Sequence, residues 1–338
     1  MQTKTLKSDL LLLLAAFFWG TTFVAQRLGM EHVGPMIYNA LRFAVGALTL
    51  VPVILAFRMS RNGGASGNVA QPPSAVSLSD NVGQPPSAVD KDDDPRAQGS
   101  HRPRGRGCYF LLWGGLLAGL ALFGGASMQQ IGLIYTTAGK ASFITSLYVV
   151  LVPIVGLFLG QRCGWAVWVG AGLAVAGLYL LSITESFTIA RGDLFILIGA
   201  FFWTIHVLLI GYLARRANPI YIACLQFIVC SILSLLAAVP FETIALPAIR
   251  AAALPILYSG IFSAGVAFTL QVVCQRTSPP AHAAIVMSLE TVFAALSGYL
   301  ILHERLTPRD LAGCALMFAS LIVVQLPLLL GPPMARTE

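Results

Sequence analysis

The strings AFFWG at 16–20 and AFFWT at 200–204 decide how this chain is read. They stand 184 residues apart, and the same offset carries Pro35 onto Pro219 and LRF at 41–43 onto LQF at 225–227. Agreement in register over such a stretch marks an internal repeat rather than a chance meeting of common apolar letters. Further along, the echo returns as Ser-Leu at 146–147 and 288–289, followed by Gly156 and Gly298, now at an offset of 142. The first half therefore carries about 42 residues that the second lacks.

The extra residues fall at 59–107, where the composition breaks: no aromatic residue, many Gly, Pro, Ser, Asp and Arg, and a tandem pair, NVAQPPSAV at 68–76 and NVGQPPSAV at 81–89. Such a segment cannot bury enough apolar surface to order itself and is expected to be a disordered, solvent-exposed insert. It reads either as a docking loop or as a tolerated expansion.

Outside the insert the chain is apolar almost throughout. Of 338 residues, 57% are hydrophobic and 10% charged, with a mean hydropathy of +0.79, too much apolar surface for one soluble core. Runs of about 20 apolar residues, enough to cross roughly 30 Å of hydrocarbon as a helix, recur ten times. Their spans are 10–28, 36–58, 108–129, 139–160, 164–183, 193–213, 219–239, 251–273, 281–302 and 308–329. The first is long and has no small-residue cleavage site after it, so it is read as a retained helix and not a signal peptide.

The reading is thus an all-α polytopic membrane protein of ten transmembrane helices, two five-helix repeats at 10–183 and 193–329. An odd number of spans per repeat inverts one half against the other, a plan that secondary transporters use around a midplane site. A net charge of +7 suggests nucleic acid in a soluble protein, but here Lys and Arg report loop orientation. With the first residues placed inside, fourteen basic residues fall on the cytoplasmic side and six outside, so both termini are expected in the cytoplasm of a cell whose inner membrane holds the protein.

The six cysteines are scattered without CxxC or metal-ligand spacing, and no cofactor is expected. HERL at 303–306 lacks the second His of HExxH, and neither a GxSxG string nor a Walker A string occurs. A membrane-embedded enzyme acting on a lipid or peptide is the alternative to a transporter, and it has no motif behind it.

The strings AAFFWGTTFVAQ (15–26), LRFAVGAL (41–48), ASFITSLYVVLVPIVGLFLG (141–160) and SLETVFAALSGYLILHERLTPRDLAG (288–313) resemble the EamA-type family of the drug/metabolite transporter superfamily. The resemblance implies ten helices, two EamA repeats, a central cavity and, by analogy, export of a small organic metabolite or drug. The chain departs from the family pattern at Thr291, where many members have proline, at His303, and at Thr204, which stands where the first half has Gly20. Without proline at 291 the ninth span loses the ordinary cause of a kink, whereas Pro153 keeps one in the fourth.

Ionisable groups deep in a span are costly and face a bundle interior or a cavity, which makes them site candidates. Arg42 lies about six residues into the second span, roughly 9 Å along the axis. It either receives a substrate carboxylate or phosphate or pairs with helix carbonyls or with Glu290, and its repeat mate is the uncharged Gln226. Glu290, mate of Tyr148, sits near the middle of the ninth span, where it either binds a cation or relays a proton, or else ties helices together by hydrogen bonds. His206 is a further candidate that also reads as a packed hydrogen-bonding residue. Trp19 and Trp203 occupy equivalent places and either line the cavity or pack beside Gly20. Tyr148 and Gln26 complete the candidate set as polar-edged cavity residues. The partners expected are a small-molecule substrate and the lipid bilayer, with no nucleic acid; transport is either coupled to a proton carried by Glu290 or His206, or uncoupled and driven by the substrate gradient.

Overall fold

The computed structural model describes residues 2–63, 104–136, 138–182, 191–302 and 307–330. Every regular element among them is helical, as hydrocarbon demands of a backbone that must satisfy its own polar groups. Among the described residues eight helical spans are long and apolar enough to cross a membrane, and this is a multi-pass membrane protein. Where the sequence suggests the fifth and tenth spans, the described residues hold shorter apolar helices, Trp165–Leu180 and Leu311–Val324.

In chain order, α1 (Gln2–Met30), α2 (Pro35–Gly63) and α3 (Arg104–Tyr135) are followed by a span in two pieces, α4 (Ala138–Ser146) and α5 (Tyr148–Phe158), and by α6 (Trp165–Ser182). The second half runs α7 (Arg191–Leu213), α8 (Pro219–Ala238), α9 (Leu246–Ala251) and α10 (Ala253–Tyr258). A π-helical stretch, Ser259–Phe268, then leads into α11 (Thr269–Cys274). Another two-piece span, α12 (Pro280–Met287) and α13 (Glu290–Ile301), precedes α14 (Pro308–Leu330).

The helix starts show how far the repeat is local chemistry. Pro35 and Pro219 both open their helices, where a missing N–H costs nothing. Before Pro219, Asn218 caps α8 by accepting from the Ile220 N–H at 3.0 Å. Its mate, Gly34, has no side chain to do so. The Glu242 carboxylate replaces it from the α8–α9 connection, accepting from the Met36 and Ile37 N–H groups at 2.8 Å each, and Gly34 leaves the space it occupies.

Packing pairs elements across the halves. α6 lies along α14 and α2 along α8, while α3 lies against α7 and α8. α1 packs on α12 and α13 as α7 packs on α4 and α5. Small residues permit the closest crossings. A Cβ on Gly46 would sit 2.5 Å from that of Ala264, and one on Gly260 would lie 2.9 Å from the Arg42 carbonyl, so α2 and the π-helical stretch touch backbone to backbone.

Three expectations change. The insert expected from 59 to 107 is helical at its edges, through Gly63 and from Arg104, because backbone bonding outlasts the apolar run; 64–103 lie outside the described residues, as does His303. The eighth span, expected as one helix over 251–273, is α10, a π-helical stretch and α11. The break expected near Pro153 and not in the ninth span occurs in both, at the Ser-Leu step: Leu147 (φ −58°, ψ −14°) and Leu289 (φ −62°, ψ −10°) have near-identical 3₁₀-like dihedrals. Equivalent three-residue bonds tighten both turns, Val150 N–H to the Leu147 carbonyl at 3.1 Å and Val292 N–H to the Leu289 carbonyl at 3.0 Å. Pro153 stays inside α5, so proline causes neither break.

Candidate functional site

The two breaks face each other in the bundle core and aim polar side chains at one another. Glu290, the first residue of α13, accepts through Oε1 from the Ser146 hydroxyl and the Tyr148 hydroxyl, each at 3.3 Å. Thr291, in place of the proline expected from the resemblance, shares a 2.8 Å hydrogen bond with Ser146, and its hydroxyl lies 3.3 Å from the Ser142 carbonyl. The departure thus ties α13 to α4 directly beside the carboxylate.

Glu290 and Tyr148 lie on the wall of a narrow cavity, with room for about 40 Å³, together with Trp19, Gln26, Arg42 and Trp203. Six of the seven side chains singled out from the sequence therefore meet in one place. His206 does not line it. The imidazole is fully buried behind the wall, 2.9 Å from Gln226 Oε1 and edge-on to the rings of Trp203 and Phe268, so it braces the aromatic wall from outside.

Trp19 and Trp203 approach across the cavity but do not stack on each other. Phe268, at the end of the π-helical stretch, sits between them, with centroids 4.8 Å from Trp19 and 5.7 Å from Trp203 and the latter pair stacked at 18°. Gly125 seats the second indole, since a Cβ there would lie 3.0 Å from its ring carbons. The Trp203 Nε1–H donates to Gln129 Oε1 at 3.0 Å, and Gln129 donates weakly on to Gln26 at 3.4 Å.

Sequence reasoning missed Phe268, Gln129 and Gln271, although a signal was present: Gln129 and Gln271 stand at the offset of 142 inside apolar spans. Most of the wall repeats in this way, Gln26, Arg42, Ser263 and Phe268 excepted. Trp19 and Trp203, Phe23 and Val207, Gln129 and Gln271, Thr145 and Met287, and Tyr148 and Glu290 are each matched by one of the two offsets, and all ten line the cavity.

The wall is polar without being satisfied. Trp19 Nε1, Arg42 Nε, Thr145 Oγ1 and Gln271 Oε1 are buried with no hydrogen-bond partner. Leaving such a group unpaired costs about 1–3 kcal/mol each, a cost that a water or a ligand in the cavity relieves.

An Asp–His pair and a Lys–Asp ion pair flank the site at opposite ends of the bundle. Near the start of α1, Asp9 Oδ1 meets His282 Nε2 of α12 at 2.8 Å, and Ser8 bonds Ser278 at 3.0 Å. Near the other end of α1, Arg27 donates to the Thr136 carbonyl at 3.0 Å, and there Lys140 of α4 meets Asp193 of α7 at 2.6 Å. Asp9 and Arg27 are separated by about 27 Å along the helix, close to a hydrocarbon thickness. The offsets make the pairs equivalent, Asp9 with Asp193 and Lys140 with His282.

Comparison with known proteins agrees with this architecture. Residues 6–71, 98–183 and 190–326 match the EamA-like transporter family. An uncharacterized transporter of Archaeoglobus fulgidus is 30% identical over 96% of this chain and 87% of its own length. The uncharacterized transporter YoaV of Bacillus subtilis is 21% identical over 88% of this chain and 90% of its own. A WAT1-related chloroplastic protein of Arabidopsis thaliana is 22% identical over 92% of this chain and 67% of its own. A solved crystal structure, 19% identical, superposes with a TM-score of 0.68 over 95% of this chain and 96% of that one, which shows a shared fold.

Proposed function

Because this chain belongs to the EamA-like transporter family, we propose that it is a secondary transporter exporting a small organic molecule across the cytoplasmic membrane by alternating access. The observation that carries this reading is the paired wall: residues equivalent under the two offsets converge on one cavity, as expected where two inverted halves, 10–183 and 193–329, meet at a pseudo-twofold axis. Helix partners that exchange along with the halves support it, α1 with α12 and α13 in one sense, α7 with α4 and α5 in the other.

In this mechanism the Asp9–His282 and Lys140–Asp193 pairs are latches, each joining a helix of one half to a helix of the other at one face of the membrane. Opening one end breaks its latch while the other holds, so the cavity faces one compartment at a time. The Ser-Leu breaks are the points at which the outer halves of the two spans swing. With both termini cytoplasmic, as the basic residues suggest, the Asp9 latch closes the inner side.

The test is binding followed by flux. The purified chain is screened against amino acids, nucleosides, sugars and cationic drugs for thermal stabilisation, which binding to the folded state must produce. Ligands that bind are then loaded into proteoliposomes. Flux that is saturable and lost in Trp203→Ala supports the reading; ligand that binds and never crosses the bilayer refutes it.

A further inference from the structure

Within the cavity wall, Arg42 is a buried cation that forms no ion pair among the described residues. The residue is 3% exposed, its Nε has no partner, and the acid–base pairs among the described residues lie elsewhere, at Lys140–Asp193 and Asp9–His282. What it touches is neutral: its guanidinium carbon lies 4.7 Å from the Phe43 ring centroid and 6.0 Å from that of Tyr38. The Tyr38 hydroxyl is engaged elsewhere, with the Pro255 carbonyl at 3.0 Å and Ser259 at 2.6 Å. Glu290, the carboxylate sharing the cavity, takes its hydrogen bonds from Ser146 and Tyr148.

Gln226 fills the equivalent position in the other half as a neutral amide bonded to His206. A buried, unpaired guanidinium facing a cavity is costly, and it is the natural seat of an anion that arrives with a ligand, since its donor fork matches a carboxylate.

We propose that Arg42 is the anion-recognition residue of this cavity and that its ligands are small organic acids, with a carboxylate on the guanidinium and a flat apolar body against the indoles of Trp19 and Trp203 and the Phe268 ring. This deepens the transporter reading by naming the substrate class. Organic cations of the same shape are disfavoured at the guanidinium, because they would bring a second positive charge beside the first.

The experiment uses the full chain in lipid nanodiscs and matched sets of probes: aryl and branched aliphatic carboxylates, their carboxamides, and the ammonium compounds of the same carbon skeleton. Several carboxylates are expected to raise the unfolding temperature at concentrations where their carboxamides and ammonium counterparts do not. Arg42→Gln, which copies the residue at 226, is expected to fold and to weaken carboxylate binding at least tenfold, with Arg42→Lys intermediate. Carboxamides or ammonium compounds binding as tightly as carboxylates, carboxylate affinity within twofold of wild type in Arg42→Gln, or no carboxylate binding at millimolar concentration would each overturn the proposal. The comparison of probes on the wild-type chain decides even where a variant does not fold. Flux separates the two readings: a carboxylate bound through Arg42 yet never transported removes the transporter and leaves the anion site, whereas a transported neutral compound indifferent to Arg42→Gln removes the anion site and leaves the transporter.

Discussion

Removing Asp9 and removing Asp193 should open the cavity to opposite sides of the membrane, and by different amounts. In the Asp9–His282 latch both side chains are buried, 5% and 9% exposed, so Asp9→Ala leaves His282 Nε2 without its acceptor in a dry site. That costs the closed end about 1–3 kcal/mol, a shift of roughly five- to 150-fold in the equilibrium between closed and open. In the other latch Lys140 is 33% exposed, water and salt screen the pair, and Asp193→Ala should shift its end by only about 0.2–1 kcal/mol. The readout is a single cysteine placed at Thr145, on the cavity wall, in a chain whose native cysteines are replaced. A membrane-impermeant thiol reagent is then applied to either face of oriented vesicles. Asp9→Ala should raise labelling from the face that holds the start of α1, and Asp193→Ala from the opposite face, more weakly. A double-mutant cycle with His282→Gln should recover a coupling energy absent between Asp9 and Lys140. Labelling that rises from the same face in both variants, or in neither, refutes the latches; a larger effect at Asp193 refutes the argument from burial.

Gly20→Ala should lower thermal stability and ligand affinity together, by about 1–3 kcal/mol in stability, because its Cβ would meet the Glu290 carbonyl and lie 2.5 Å from the Phe293 Cβ and 2.8 Å from the Ala294 nitrogen. Gly139→Ala, with nothing within 4 Å of the new Cβ, is the control and should stay within about 0.5 kcal/mol of wild type in the same melts. Thr291→Pro should leave α13 intact, since 291 lies in its first turn, and should cost about 1–3 kcal/mol through the lost Ser146 hydrogen bond and the lost bond from the Thr291 N–H to the Ser288 carbonyl; loss of helix by circular dichroism would contradict this. If Glu290 carries the coupling proton, Glu290→Gln should transport with a flat pH profile where wild type does not; a retained dependence assigns the proton elsewhere.

Much of this protein was legible in one dimension. Apolar runs of bilayer length dictated helices, since a spanning backbone has no other way to satisfy its polar groups. The two offsets showed which residues are equivalent, and the cost of a charge or amide in hydrocarbon pointed Arg42, Glu290 and Gln26 toward an interior. The Ser-Leu step was visible too, but only as a marker of the repeat. Its 3₁₀ turn arises where α4–α5 and α12–α13 meet, and no proline announces it.

Which face of each helix looks at the axis was decided by tertiary packing alone. Successive residues on a helix turn by about 100°, so His206 and Trp203, three apart and both polar-edged, were indistinguishable in the sequence. Phe268 reached the space between the two indoles because the backbone before it is π-helical, wound differently from the rest of the bundle, and a change of winding moves every later side chain around the axis. The latches depended on contacts spanning 273 and 53 residues of sequence, between groups that read separately as ordinary charges near helix ends. The sequence of this chain determines its helices and their equivalence, because hydrocarbon makes those choices locally. Its cavity and latches belong to the fold, because they exist only where side chains from both halves come within hydrogen-bonding distance.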